Sequence, residues 1–292
     1  MLSIFTFAKD IKISHSIFAL PFVGVGILLS PIDQIYFSDI ALIVASMICA
    51  RSFSMGVNRI VDEKFDLKNP RTSARAIPSG RATPDEFWGW TILFGCCFVG
   101  LAFQLSKLAG ACSIPTLLIL GGYSFMKRIS WLTHWYLGMC LGLAPIAAEV
   151  ALVGVVSYPV LLLGISVMFW TAGFDLLYSL QDRKFDVENN LKSVPANFGH
   201  KTALLLSIVS FVFMTGCLVL AGYLKGTGIL YSLGLVATVL ILAIEHWLVR
   251  EAWTTGTSQN IGPAFFNYNA ILSVSFFVFA LLDRILFNAN QT

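Results

Sequence analysis

Nine stretches of predominantly apolar residues follow one another with only short polar breaks, at about 13–31, 37–58, 87–106, 108–125, 132–154, 158–179, 202–223, 227–248 and 265–287. A helix of roughly 20 apolar residues matches the hydrocarbon thickness of a bilayer. In that medium every backbone polar group must be satisfied inside the protein, which favours helices. Charged residues make up 12% of the 292, against about 25% in soluble domains. The pattern predicts an all-α fold: a polytopic membrane bundle of nine transmembrane helices forming a single domain over residues 1–292, with no room for a separate soluble domain.

The first stretch runs on into Ser30-Pro31-Ile32-Asp33 without a small-residue cleavage pattern, so it is expected to be a span and not a removed leader. Lys9, Asp10 and Lys12 near the start do not fit an Arg/Ser-rich transit peptide, which makes a bacterial plasma membrane the expected location. Lys9, Lys12, Arg59, Lys64, Lys68, Arg71, Arg75, Arg81, Lys127, Arg128, Arg183, Lys184, Lys192, Lys201 and Arg250 fall on one side of the spans, and Lys107, Lys225 and Arg284 on the other. Basic loops stay inside, so the first group is expected to be cytoplasmic. The net charge of +3 is spread over these loops, and nothing in it points to nucleic acid. The six cysteines all sit in apolar stretches and none makes a C-x-x-C spacing, so they read as packing residues.

Against this apolar background an acidic pattern appears twice. Asn58-Arg-Ile-Val-Asp62-Glu-Lys-Phe-Asp66 ends the second stretch, and Tyr178-Ser-Leu-Gln-Asp182-Arg-Lys-Phe-Asp186 ends the sixth. On a continuous α-helix Asn58, Asp62 and Asp66 form one row, and Arg51 lies two turns earlier on the same face. Asp175, Tyr178, Asp182 and Asp186 keep a single face in the same way. Carboxylates at a membrane edge are costly unless paired, solvated or bound to a cation. Mg²⁺ gives such residues a purpose, since it is held by one or two carboxylates together with phosphate and water oxygens. Either cluster alone also fits a solvated helix end with i,i+4 ion pairs; the matched repetition favours a metal-bound diphosphate.

The segment after the first cluster, Asn69-Pro70-Arg71-Thr72-Ser-Ala-Arg75-Ala-Ile-Pro78-Ser79-Gly80-Arg81, presents cations on a chain turned by proline and glycine. Arginine's planar fork suits phosphate oxygens, although such residues also anchor loops to anionic headgroups. Lys127-Arg128, at the next basic turn, is a candidate of the same kind. The four histidines, His15, His134, His200 and His246, make no zinc or haem spacing.

With these residues in hand the chain resembles the UbiA superfamily of intramembrane aromatic prenyltransferases, almost from end to end. N-x-x-x-D-x-x-x-D matches Asn58, Asp62 and Asp66; R-T-x-x-R-x-x-P-S-G matches Arg71, Thr72, Arg75, Pro78, Ser79 and Gly80. D-x-x-Y-x-x-x-D-x-x-x-D matches Asp175, Tyr178, Asp182 and Asp186, and Tyr123, Lys127-Arg128, Leu137-Gly138 and Pro145 look like the family's central loop and fifth helix. Ser130 and His134 depart from the Thr and Gln expected of the 4-hydroxybenzoate enzymes, so the resemblance admits more than one aromatic acceptor.

The resemblance implies two related halves of a nine-helix bundle around a central cavity, Mg²⁺ as cofactor and a polyprenyl diphosphate donor. It implies that Asp62, Asp66, Asp182 and Asp186 hold the metals, with Arg71, Arg75, Lys127 and Arg128 on the diphosphate side. Arg51 would face the carboxylate of an aromatic acid; Asn58 and Tyr178 complete the substrate contacts, and Asp175 or Asp182 is the candidate to polarise the phenol or take its proton. The segments His15-Ser-Ile-Phe-Ala-Leu-Pro-Phe22 and Ser193-Val-Pro-Ala-Asn-Phe-Gly199 look most like the branch serving menaquinone made through futalosine. The expected activity is Mg²⁺-dependent prenyl transfer to a 4-hydroxybenzoate or 1,4-dihydroxy-6-naphthoate type of acid in ubiquinone or menaquinone synthesis.

The rival class is an ion-coupled transporter, which places its site in broken helices near mid-membrane; here the acidic residues lie at span ends. Phosphotransfer onto a lipid alcohol lacks its D-G-x-x-A-R type of signature in this sequence.

Overall fold

The computed structural model describes residues 2–13, 19–32, 34–258 and 261–289, with residues 263–265 and 287–289 as backbone only. Among them every regular element is helical. In chain order these are α1 (Ile4–Asp10), α2 (Leu20–Leu29), α3 (Phe37–Val61), α4 (Glu63–Lys68), α5 (Pro84–Leu105), α6 (Lys107–Gly122), α7 (Met126–Ile129) and α8 (Thr133–Val153). They continue as α9 (Tyr158–Tyr178), α10 (Arg183–Glu188), α11 (Val194–Phe198), α12 (His200–Lys225), α13 (Ile229–Leu248), α14 (Ala252–Thr255) and α15 (Ile261–Ala289).

Eight of the expected nine spans are long and apolar enough among the described residues to cross a bilayer. The ninth, expected over 13–31, is represented by the ten-residue α2, and residues 14–18 before it lie outside the described residues. Start signals explain several bounds. Thr83 Oγ1 accepts from the Glu86 N–H and the Glu86 carboxylate accepts from the Thr83 N–H, with Pro84 at the first helical position, which starts α5 three residues before its apolar stretch.

The chain divides into two compact units. The first contains residues 2–13 and 34–127 together with the short end of α8, 150–154. Here α3 packs on α5 and α6, and α1 lies on α5. Its buried cluster, Phe7, Ile11, Ala76, Ile77 and Phe87, fastens the loop after α4 to α1 and α5.

The second unit holds α2, α8 up to Glu149 and α9 to α15. Its core joins Phe22, Val167, Trp170, Met214, Tyr231, Leu272 and Phe276 from α2, α9, α12, α13 and α15. Three of these helices are also tied by polar side chains: Trp170 Nε1 donates to Asn269 Oδ1 (2.8 Å), and Asn269 Nδ2 donates to Glu245 Oε1 (3.1 Å). Such bonds matter in lipid, where apolar burial does not drive helices together. Close backbone approach does the same for α8 and α9. A Cβ on Gly142 would collide with the carbonyl of Gly164, and one on Gly138 with that of Met168.

Candidate active site

Each unit carries one acidic cluster. In the first, α3 ends at Asp62, which caps it and starts α4. The hydrogen-bond ladder continues across this bend, Asp62 N–H to Asn58 O at 2.9 Å and Asp66 N–H to Asp62 O at 2.8 Å, so the row read from the spacing survives. Asn58 Nδ2 donates to Asp62 Oδ2 (2.6 Å), and Arg59 Nη1 donates to Asn58 Oδ1 (2.8 Å). Arg75 Nη1 meets Asp66 Oδ2 at 2.6 Å.

The loop that supplies Arg75 is built from local bonds. Arg71 N–H donates to Asn69 Oδ1 (3.0 Å), and Thr72 Oγ1 donates to the Asp66 carbonyl (3.2 Å). Gly80 takes a positive φ of 73°, a conformation glycine adopts without strain. Arg81 is spent on the loop itself, bonding Ala74 O (2.6 Å) and Ser79 Oγ (2.9 Å).

Two residues not singled out as site residues from the sequence organise this half. Asp10, at the end of α1, forms an ion pair with the buried Arg59 (Nε to Oδ2, 3.2 Å), accepts from Arg59 Nη2 on its carbonyl (3.2 Å) and accepts the Ala76 N–H on Oδ1 (2.7 Å). It thereby anchors both the acidic helix and the arginine loop. Arg59 carried a signal, standing beside Asn58 in the motif; Asp10 carried none, because its partners are distant in sequence. Lys12, just beyond, is exposed, yet partial burial lowers its pKa, and Arg59, Arg75 and Arg71 lower it further.

Arg51 lies on α3 inside the span. Its Nε is buried and has no hydrogen-bond partner among the described residues. An unsatisfied guanidinium N–H in an apolar setting is a ready donor for a carboxylate. Lys127 and Arg128 are half-buried on α7, after a 3₁₀ turn at Tyr123–Phe125.

In the second unit the helix does not run on as the spacing argument assumed. α9 ends at Tyr178, residues Ser179–Asp182 form a 3₁₀ turn, and α10 follows. With three residues per turn there instead of 3.6, Tyr178 and Asp182 no longer stack four apart on one face. Tyr178 packs edge-on against Phe266. Asp182 and Asp186 are both buried, and Ser193 Oγ donates to Asp186 Oδ2 at 2.9 Å. Asp175 accepts from His134 Nδ1 at 2.7 Å. His134 is therefore brought to the acidic cluster; His15 lies outside the described residues.

Among the described residues no group of three or more His, Cys, Asp or Glu is assembled to hold an ion. The carboxylates come as two sequence pairs, Asp62 with Asp66 and Asp182 with Asp186. Their donor chemistry, hard oxygens and no sulfur or imidazole, fits Mg²⁺, which takes few protein ligands and completes its shell with phosphate and water.

Fold and site define a multi-pass membrane protein with paired carboxylates at span ends beside an arginine-bearing loop. The family model for the UbiA prenyltransferase family matches residues 19–270, and the chain belongs to that family. It is therefore a prenyltransferase. It is 28% identical over 215 residues to a 4-hydroxybenzoate octaprenyltransferase of Tolumonas auensis, covering 74% of this chain and 75% of the relative. The enzyme of the same name from Nitrosococcus oceani is 30% identical over 238 residues, 80% of each chain. Among solved structures, the apo UbiA homologue of Aeropyrum pernix K1 superposes with a TM-score of 0.83 at 28% identity, over 93% of this chain and 98% of that one. A UbiA homologue of Archaeoglobus fulgidus bound to GPP and Mg²⁺ shares the fold, with a TM-score of 0.68 at 17% identity over 96% and 99%.

Proposed function

We propose that the whole chain acts as one domain that transfers a polyprenyl group from polyprenyl diphosphate to an aromatic acid of the 4-hydroxybenzoate or 1,4-dihydroxy-6-naphthoate type, for ubiquinone or menaquinone synthesis. The observation that carries this reading is the burial of Asp66, Asp182 and Asp186, at 6%, 7% and 1% exposure, at the ends of membrane spans. Carboxylates kept there at such cost call for cations, of which Arg75 at Asp66 is one and Mg²⁺ would be another. Asp62, Asp66, Asp182 and Asp186 would hold Mg²⁺, which neutralises the charge on the departing diphosphate.

Arg75 and Arg71 bind and orient the diphosphate, and Lys127 and Arg128 add donors to it. Preorganised donors of this kind are each worth roughly 3 kcal/mol at a developing anion. The apolar spans exclude water, which would otherwise capture the allylic cation. The electron-rich ring, held through its carboxylate by Arg51, attacks that cation as the diphosphate leaves with the C–O bonding pair, and the ring proton displaced by the new C–C bond passes to a carboxylate such as Asp175 or Asp182. Basic-loop asymmetry supports a site that faces the cytoplasm, in keeping with the bacterial inner membrane proposed here. A transporter reading gains nothing from the fold, since the helix interruptions at Asp62 and 179–182 fall at helix ends.

The experiment is prenyl transfer by the purified protein with Mg²⁺ and a polyprenyl diphosphate, offering both acids in parallel and weighing the products by mass spectrometry. A prenylated acid is the expected product and its identity fixes the pathway. Donor left intact in every reaction would overturn the proposal.

A further inference from the structure

His134 is fully buried on α8, in a span, and both ring nitrogens are engaged. The Val194 N–H donates to Nε2 at 3.3 Å, which leaves the ring proton on Nδ1 to donate to Asp175 Oδ2 at 2.7 Å. The imidazole is thus a neutral connector whose tautomer is set by the backbone of α11. The residue before Val194, Ser193, bonds Asp186 Oδ2 at 2.9 Å. One short segment therefore fixes a carboxylate of the acidic pair and, through His134, a carboxylate deeper in the span.

Depth and exposure say what that second carboxylate serves. Asp175 precedes Asp182 by three α-helical and four 3₁₀ steps, roughly 12 Å along the axis toward the middle of the span. If the diphosphate lies at the level of Asp182 and Asp186, the allylic end of the donor and the ring that attacks it lie beyond, on the Asp175 side. Asp175 keeps 22% of its side chain exposed while His134 occupies one oxygen. A carboxylate in a span is costly, and a single fixed donor both stabilises it and aims its other oxygen.

We propose that His134 is a positioning residue that orients Asp175 to accept a hydrogen bond from the acceptor's ring hydroxyl. The inference rests on the prenyl-transfer reading above. It makes His134, through Asp175, a determinant of acceptor use and leaves the donor site to the acidic pairs.

The test is steady-state kinetics on the purified full-length protein with Mg²⁺, a polyprenyl diphosphate and whichever of the two acids the wild type prenylates. Each substrate is varied separately for the wild type, His134→Phe, His134→Gln and Asp175→Asn. His134→Phe keeps a flat ring but no hydrogen bond; kcat/KM for the acid should fall about tenfold or more, as expected for a lost bond to a charged group, with the donor KM within about threefold. His134→Gln can donate and accept at the same two places and should recover most of that loss. Asp175→Asn should give the same acceptor-side defect, and adding His134→Gln to it should cost little more.

Wild-type kinetics in His134→Phe, losses shared equally by donor and acid, or a glutamine variant no better than phenylalanine would each overturn the proposal. Should the phenylalanine protein fail to insert, the glutamine and Asp175→Asn variants decide by the same split. If the wild type consumes donor but prenylates neither acid, the acceptor assignment falls and this inference with it. A wild type that turns over normally while His134→Phe also does so defeats this inference alone.

Discussion

Arg75 Nη1 and Asp66 Oδ2 meet at 2.6 Å, a partly buried ion pair that joins the arginine loop to the first acidic helix. The cation proposed for the diphosphate is thus held beside a carboxylate proposed for the metal. Arg75→Ala should raise the KM for donor diphosphate about tenfold or more, because a charge-assisted bond is lost. Arg75→Lys should recover only part of it, since an ammonium is a point charge without the fork. A donor titration that leaves KM unchanged in Arg75→Ala would remove Arg75 from the diphosphate site.

Asp62→Ala and Asp182→Ala each remove one carboxylate from a pair. Both should abolish prenyl transfer, at least about a thousandfold, while the proteins still insert into membranes and elute as the wild type does. Full activity in either would sink the idea that both pairs hold metal.

Arg51 should act on the acid alone. Arg51→Ala removes the buried Nε donor that lacks a partner among the described residues, so the KM for the aromatic acid should rise while the donor KM stays near its wild-type value. An acid KM equal to that of the wild type would exclude the carboxylate contact.

Lys12 gives a pH and salt prediction. Its folded pKa lies below its unfolded value near 10.5, through burial first and then Arg59, Arg75 and Arg71. The charged form therefore costs stability below the folded pKa, and the cost is relieved as pH rises from there toward 10.5. Lys12→Met should raise the Tm slightly at pH 7 in low salt, and the gain should shrink in high salt. A Tm difference that grows with salt would contradict the repulsion argument.

Packing of α8 on α9 supplies a control remote from the chemistry. A side chain on Gly142 meets the Gly164 carbonyl, which is backbone and cannot swing away. Gly142→Leu should therefore lower the Tm in detergent by several degrees or prevent folding, as expected of overpacking worth about 1–3 kcal/mol or more. Gly89→Leu, where nothing lies within 4 Å, should leave the Tm unchanged. Equal behaviour of the two variants would refute the close approach.

The all-helical membrane character, the limits of eight spans to within a few residues and both acidic copies were legible in the sequence, because hydropathy and i,i+4 spacing are local properties. The motifs also sufficed to place the chain near its family. Local spacing did not anticipate the 3₁₀ turn at 179–182, which takes Tyr178 out of line with Asp182. Nor could it pair Asp10 with Arg59, 49 residues away, or with the Ala76 N–H, 66 away. His134 read as a mere departure from a family pattern until the fold set it 41 residues from Asp175 and 60 from Val194 in sequence, in hydrogen-bond contact with both. The sequence by itself determined which residues carry charge into the membrane and at which helix ends. The tertiary structure decided which donor answers each charge, because partners for a buried carboxylate are chosen by packing between segments whose separation along the chain carries no signal of their contact.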